Sequence, residues 1–164
     1  MKSPVLNLDD LDYSTHSHGE TFEAGRAPVA DRIGAEKLGY AVIRLAPGKR
    51  AWPYHAHRVI EEAFYIIDGQ GTLRHAGEEF PIRTGDFIAA PADAEQPHQI
   101  INTSEAELVY IAMSTKESTD VVHYPDSGKF GVWSSDGGDA FQRDSFRIVA
   151  RAESGVDYWD GEGD

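Results

Sequence analysis

Residues 48–69 read GKRAWPYHAHRVIEEAFYIIDG. Two histidines, His55 and His57, stand one residue apart, and the pair Glu61-Glu62 opens a run that closes at Asp68-Gly69. In an extended strand, residues two apart share a face, so both imidazoles point the same way with Cα atoms about 6–7 Å apart. That spacing suits two rings converging on one ion. After a turn, Glu62 begins the next strand. If that strand pairs antiparallel with the histidine strand, its carboxylate reaches the same ion. Side-chain alternation turns Glu62, Phe64 and Ile66 inward and Glu61, Ala63 and Tyr65 outward, which selects Glu62 over Glu61 as the ligand.

Downstream, Gly85, Pro91, Asp93, His98 and Asn102 form a second spaced set. His98 opens a strand and offers a third imidazole. Three neutral imidazoles and one carboxylate make a borderline-hard donor set for one divalent ion: Fe(II), Mn(II), Ni(II), Co(II) or Zn(II). Around both sets, short runs rich in Val, Ile, Phe and Tyr alternate with turn signals. The runs fall at 40–46, 51–57, 62–68, 72–75, 80–83, 87–90, 98–102 and 107–114. Pro47-Gly48, Asp68-Gly69, Ala76-Gly77 and Gly85-Asp86 are among the breaks between them. Eight short strands at near-regular spacing predict an all-β sandwich or barrel.

These residues resemble the pattern of the cupin family. Its first motif, a glycine, a His-x-His pair, a glutamate and a second glycine, matches Gly48, His55, His57, Glu62 and Gly69. Its second motif matches Gly85, Pro91, His98 and Asn102, with Asp93 where a glycine is usual and a longer loop before His98. The resemblance covers about 40–115. It implies a double-stranded β-helix, or jelly roll, with His55, His57, Glu62 and His98 holding the metal. Residues 1–39 then form an N-terminal arm with one short strand, and 116–164 a tail packed on the barrel. In that tail, 121–125 reads as an edge strand, because Pro125 cannot donate to a ladder, and 146–150 as another short strand.

Other residues have plainer roles. His16 and His18 form a second His-x-His, but in a polar, Gly-punctuated stretch that reads as solvated. His75 and His123 read as surface residues. Gly48, Gly69, Gly71 and Gly85 read as turn glycines with positive φ, and Asn102 as a structural residue at a strand end. Arg44 sits in an otherwise apolar strand. If the face it shares with Val42 turns inward, it binds a substrate carboxylate or phosphate; if outward, it is a solvated strand residue. Phe64 and Ile66 beside the metal suit a partly apolar substrate. The loop 91–97 is expected to bound the pocket mouth.

The 164 residues carry 15 basic and 28 acidic side chains, a formal charge of −13, and no cysteine. The charge disfavours a nucleic-acid partner. The missing thiols exclude a disulfide framework, a thiolate nucleophile and a Cys-based zinc site. Hydrophobic content of 40% against 26% charged residues reads as a soluble globular domain. With no long apolar run and no h-region near the first residues, the expectation is a cytoplasmic protein without a membrane partner. Outward Tyr65 and Ile67 predict a homodimer. Three activities fit the site. One is an isomerase or epimerase of sugars or sugar phosphates, ranked first. The others are a dioxygenase of a small enol or aromatic compound and a non-catalytic ligand-binding module. All three take a small oxygenated molecule, best one with two oxygens on adjacent carbons. The acid/base residue is not legible.

Overall fold

A computed structural model describes residues 3–137, 139–141 and 145–163. Met1 and Lys2 at the N-terminus, Gly138 of the Gly/Ser/Asp loop, residues 142–144 and the terminal Asp164 lie outside the described residues. The chain folds as two facing antiparallel layers. The first is a six-stranded sheet in the order β1-β2-β3-β10-β5-β8. Its strands are β1 (Ser14–His18), β2 (Phe22–Pro28), β3 (Leu38–Leu45), β10 (Leu108–Thr115), β5 (Glu62–Asp68) and β8 (Phe87–Ala90). The second layer joins a three-stranded sheet, β7 (Glu78–Arg83), β6 (Gln70–His75) and β9 (His98–Ile101), to a four-stranded one. The latter comprises β13 (Phe146–Arg151), β12 (Lys129–Ser134), β11 (Thr119–Tyr124) and β4 (Ala56–His57). The two parts meet at the bridge His55↔His98, beside β4. This is the all-β architecture that the strand pattern predicts, in the double-stranded β-helix form that the family resemblance implies.

The inward faces make the core. Along β5, Phe64 and Ile66 are buried between half-buried neighbours, the period-two pattern of a strand with one covered face. They pack with Ile43, Leu45, Leu108 and Tyr110 from β3 and β10, which pair in register from Leu45↔Leu108 to Leu38↔Thr115. Two glycines are required where backbones approach. Gly69 has φ 87°, and a Cβ there would overlap the Glu107 carbonyl. Gly71 lacks positive φ. A Cβ there would lie 2.5 Å from the Ile101 carbonyl oxygen, so close approach and not turn geometry demands glycine.

Four expectations change. The arm carries two strands, not one: β2 pairs with β3, and β1 with β2, so the arm widens the first sheet. The run 51–57 is a strand only at Ala56–His57, because Trp52-Pro53 interrupts it. That short strand pairs with β11, while β5 pairs with β10 and β8, so the histidines and Glu62 face one another across the two layers instead of sharing a hairpin. Finally, β11 is an interior strand between β12 and β4. Pro125 falls just past its last residue and leaves the ladder intact.

Candidate metal centre

His55, His57 and His98 come from one layer and Glu62 from the other. His55 and His98 are held together by paired backbone hydrogen bonds, His55 N–H to His98 O at 3.2 Å and His98 N–H to His55 O at 2.7 Å. His57 follows on β4 with its side chain on the same face. All three histidines are buried. Their Nε2 atoms surround one carboxylate oxygen: Glu62 Oε2 lies 2.9 Å from His98, 3.2 Å from His57 and 3.6 Å from His55. The ligand atoms of His55, Glu62 and His98 lie within 4.8 Å of one another. The four residues singled out by their spacing are thus brought together.

The far side of each ring decides what its Nε2 offers. His55 Nδ1 lies 2.8 Å from the Pro53 carbonyl oxygen, an acceptor only, so Nδ1 carries the proton. His57 Nδ1 contacts the fully buried Asp120 carboxylate, whose other oxygen accepts from the Val59 N–H at 3.0 Å. Both contacts leave Nε2 free to present its lone pair inward, the arrangement by which carboxylates and carbonyls orient metal-binding histidines. His57 Nε2 is buried and has no hydrogen-bond partner, since its approach to Glu62 lacks hydrogen-bond geometry. A buried polar atom left unpaired is costly; a divalent ion would satisfy it. Three imidazoles and one carboxylate therefore fit such an ion.

Burial opposes charge on His57, but Asp120 and Glu62 outweigh it and push its pKa up to about 9. Burial also pushes the Glu62 carboxyl up, yet the three imidazoles outweigh it and hold it well below 4.5. For His98, burial prevails and lowers its pKa despite Glu62.

The centre opens into a cavity of about 780 Å³ between the layers, with His55, His57 and Glu62 in its wall. Ile43, Ala112 and Val122 supply apolar wall, and Trp52, Tyr124 and Phe141 aromatic wall. The Phe141 ring lies edge-on to His57 at 6.1 Å. No residue of loop 91–97 lines it, a correction to the expected mouth. That loop folds back on the β6–β7 turn, where Ala76 N–H donates to the Pro97 carbonyl at 2.9 Å.

The substrate candidates also move. Arg44 does not line the cavity. It faces outward, 3.9 Å from Glu107 and with its guanidinium 4.2 Å from the Tyr13 ring centre. Phe64 and Ile66 face inward as expected but belong to the packed core and do not line the cavity. Phe64 supports the centre from behind, its ring 5.4 Å from that of His98. His16 and His18 are exposed on β1 and do not line the cavity. Asn102 is structural: its amide donates to the Leu45 and Ala106 carbonyls.

Two residues were not legible as functional. Asp120 lies 63 positions from His57; its only signal is an acidic side chain on the face of β11 shared with Val122 and Tyr124. Arg26 lines the cavity from β2, in a stretch whose composition conceals the strand.

Residues 41–114 match a family model described as Cupin domain. The oxalate-binding protein of Thermotoga maritima is 31% identical over 74 residues, 45% of this chain and 59% of that relative. The match thus spans less than two thirds of that relative's length. The backbone superimposes on a candidate sugar phosphate isomerase from Acidithiobacillus ferrooxidans with a TM-score of 0.79 at 24% identity, covering 94% of this chain and 96% of that one. A sugar phosphate isomerase of the cupin superfamily from Silicibacter pomeroyi gives a TM-score of 0.78 at 21% identity, covering 96% and 98%. At these identities the likeness is one of fold.

Proposed function

We propose that this chain, whose residues 41–114 match the cupin domain, is a cupin and a metal-dependent isomerase or epimerase of a small sugar or sugar phosphate. One observation carries the reading: three imidazole Nε2 atoms lie within 3.6 Å of Glu62 Oε2 at the wall of a cavity of about 780 Å³. The near full-length likeness to two proteins described as sugar phosphate isomerases supports it. When bound, a divalent ion supplies Lewis-acid polarisation of a carbonyl oxygen and of the neighbouring hydroxyl. The chain does the rest. Pro53 and Asp120 keep the Nδ1 protons of His55 and His57 in place, so both rings stay oriented toward the cavity. Ile43, Ala112 and Val122 limit water around the reacting carbons. His55, His57, Glu62 and His98 would hold the ion, and a six-coordinate ion so held would have about two positions for two oxygens on adjacent carbons.

The test is proton exchange. Metal-loaded protein is incubated in D₂O with a panel of aldoses, ketoses and their phosphates, and NMR follows deuterium at the carbon beside the carbonyl. Incorporation that disappears on chelation and in His57→Ala is expected. Oxygen consumption with small enols or catechols, without exchange, would replace this reading by a dioxygenase. Stabilisation by chelating ligands with neither reaction would replace it by a binding module.

The reading extends to assembly, as a homodimer. Phe87 is 81% exposed, and its ring lies 4.6 Å from that of Tyr65 on the outer face of β5 and β8. With half-buried Ile67 beside them, they form the apolar surface that a second copy would cover.

A further inference from the structure

Two cationic side chains line the cavity among the described residues, Arg26 and Lys116. They differ in what neutralises them. Lys116 Nζ lies 2.7 Å from Asp31 and 3.9 Å from Asp139, both also in the cavity wall. Its charge is spent within the protein. Arg26 has no carboxylate within ion-pair distance and no side-chain hydrogen bond among the described residues. Its place in the ladder explains where it points. Arg26 pairs with Ile43 across β2 and β3, while Gly25 pairs with Arg44. Cross-strand partners share a face, so Arg26 and Ile43 turn to the cavity and Arg44 turns to Glu107 and Tyr13.

A guanidinium carries five donors in a planar fork, matched to a carboxylate or a phosphate. In a chain of net charge −13, a half-buried arginine left unpaired inside a cavity is conspicuous. Glu62 turns one carboxylate oxygen to three imidazoles and forms no ion pair with Arg26. We propose that Arg26 is the anion anchor of this cavity: it binds the carboxylate or phosphate group of the molecule whose oxygens face the His55/His57/Glu62/His98 centre. The inference rests on reading the cavity as the substrate site, and it names the substrate as an anion.

The experiment measures binding, not turnover. Calorimetry on Zn(II)-loaded protein compares ribose 5-phosphate with ribose, and gluconate with glucose. The two pairs separate a phosphate from a carboxylate as the recognised group. Wild type is expected to bind the anionic member of at least one pair about tenfold or more tightly, the range of a charge-assisted bidentate contact. Arg26→Gln should abolish that preference, Arg26→Lys should keep part of it, and the outward Arg44→Gln should leave it unchanged. Equal preference in Arg26→Gln and wild type, or no preference in wild type, overturns the proposal. Circular dichroism confirms that each variant is folded. The same ratios on chelator-treated protein keep the two readings apart. An Arg26-dependent preference that survives there, without deuterium exchange in the loaded protein, would sink the isomerase and leave the anchor standing. Exchange with an unchanged KM for phosphates in Arg26→Gln would do the reverse.

Discussion

At the scale of single residues, the consequential one is Asp120. It does not line the cavity, yet its carboxylate holds in place His57, which does. Asp120→Ala is expected to lower metal affinity by about 10–100-fold, read by competition with a chelator; unchanged affinity would remove it from the centre. Proton linkage gives a second prediction. His57 is raised from 6.5 to about 9, so its contribution to the stability of metal-free protein is complete below pH 6.5 and lost as pH rises through 9. Glu62 is lowered, so its contribution is present above pH 4.5 and lost as pH falls through its depressed pKa. His98 is lowered by burial, so its contribution is complete above pH 6.5 and lost as pH falls below it, and chelator-treated protein should therefore melt highest near about pH 6.5. Metal binding must displace the His57 proton, so affinity rises with pH toward 9. Thermal melts with and without chelator check both; identical profiles would contradict them. His55, His57, Glu62 and His98 were legible because spacing along short segments encodes them. Asp120 and Arg26 were not, because only the pairing of β11 with β4 and of β2 with β3 brings them to the site.

At the scale of elements, alternation served where one face is buried and failed where composition masks a strand. The runs at 62–68 and 87–90 coincide with β5 and β8. β1 and β2 went unread as a pair: the five residues of β1 are all exposed, and β2 contains Gly25 and ends at Pro28. The sequence places the tail strand β11 at an edge, and the structure places it inside a sheet, because a proline after a strand resembles a proline within one. Gly71 offers a clean test of how tightly these elements meet. Gly71→Ala adds a methyl against the Ile101 carbonyl and the Leu108 side chain, at 2.5 and 2.9 Å. It should destabilise the protein by about 1–3 kcal/mol, read from denaturant midpoints. A neutral effect would mean that β6 and β9 yield easily.

At the scale of the whole molecule, arm and tail are structural parts of the site. The arm contributes Arg26 to the cavity wall; the tail contributes Tyr124 and Phe141 there, and Asp120 behind His57. None of this follows from the repeat of short strands, which says nothing of which segments close the mouth. The exposed Phe87 and its neighbour Tyr65 predict a homodimer. Light scattering at micromolar concentration should give twice the 18.1 kDa chain mass, and Phe87→Lys should shift it toward the monomer. A clean monomer in wild type would contradict this. The centre itself carries the account, and metal content tests it most directly. Protein stripped with chelator, reloaded with divalent ion and desalted should hold about one ion per chain by mass spectrometry. His98→Ala, folded by circular dichroism, should hold little, and His16→Ala should match wild type. No ion in wild type, or equal content in the His98→Ala variant, would contradict the account.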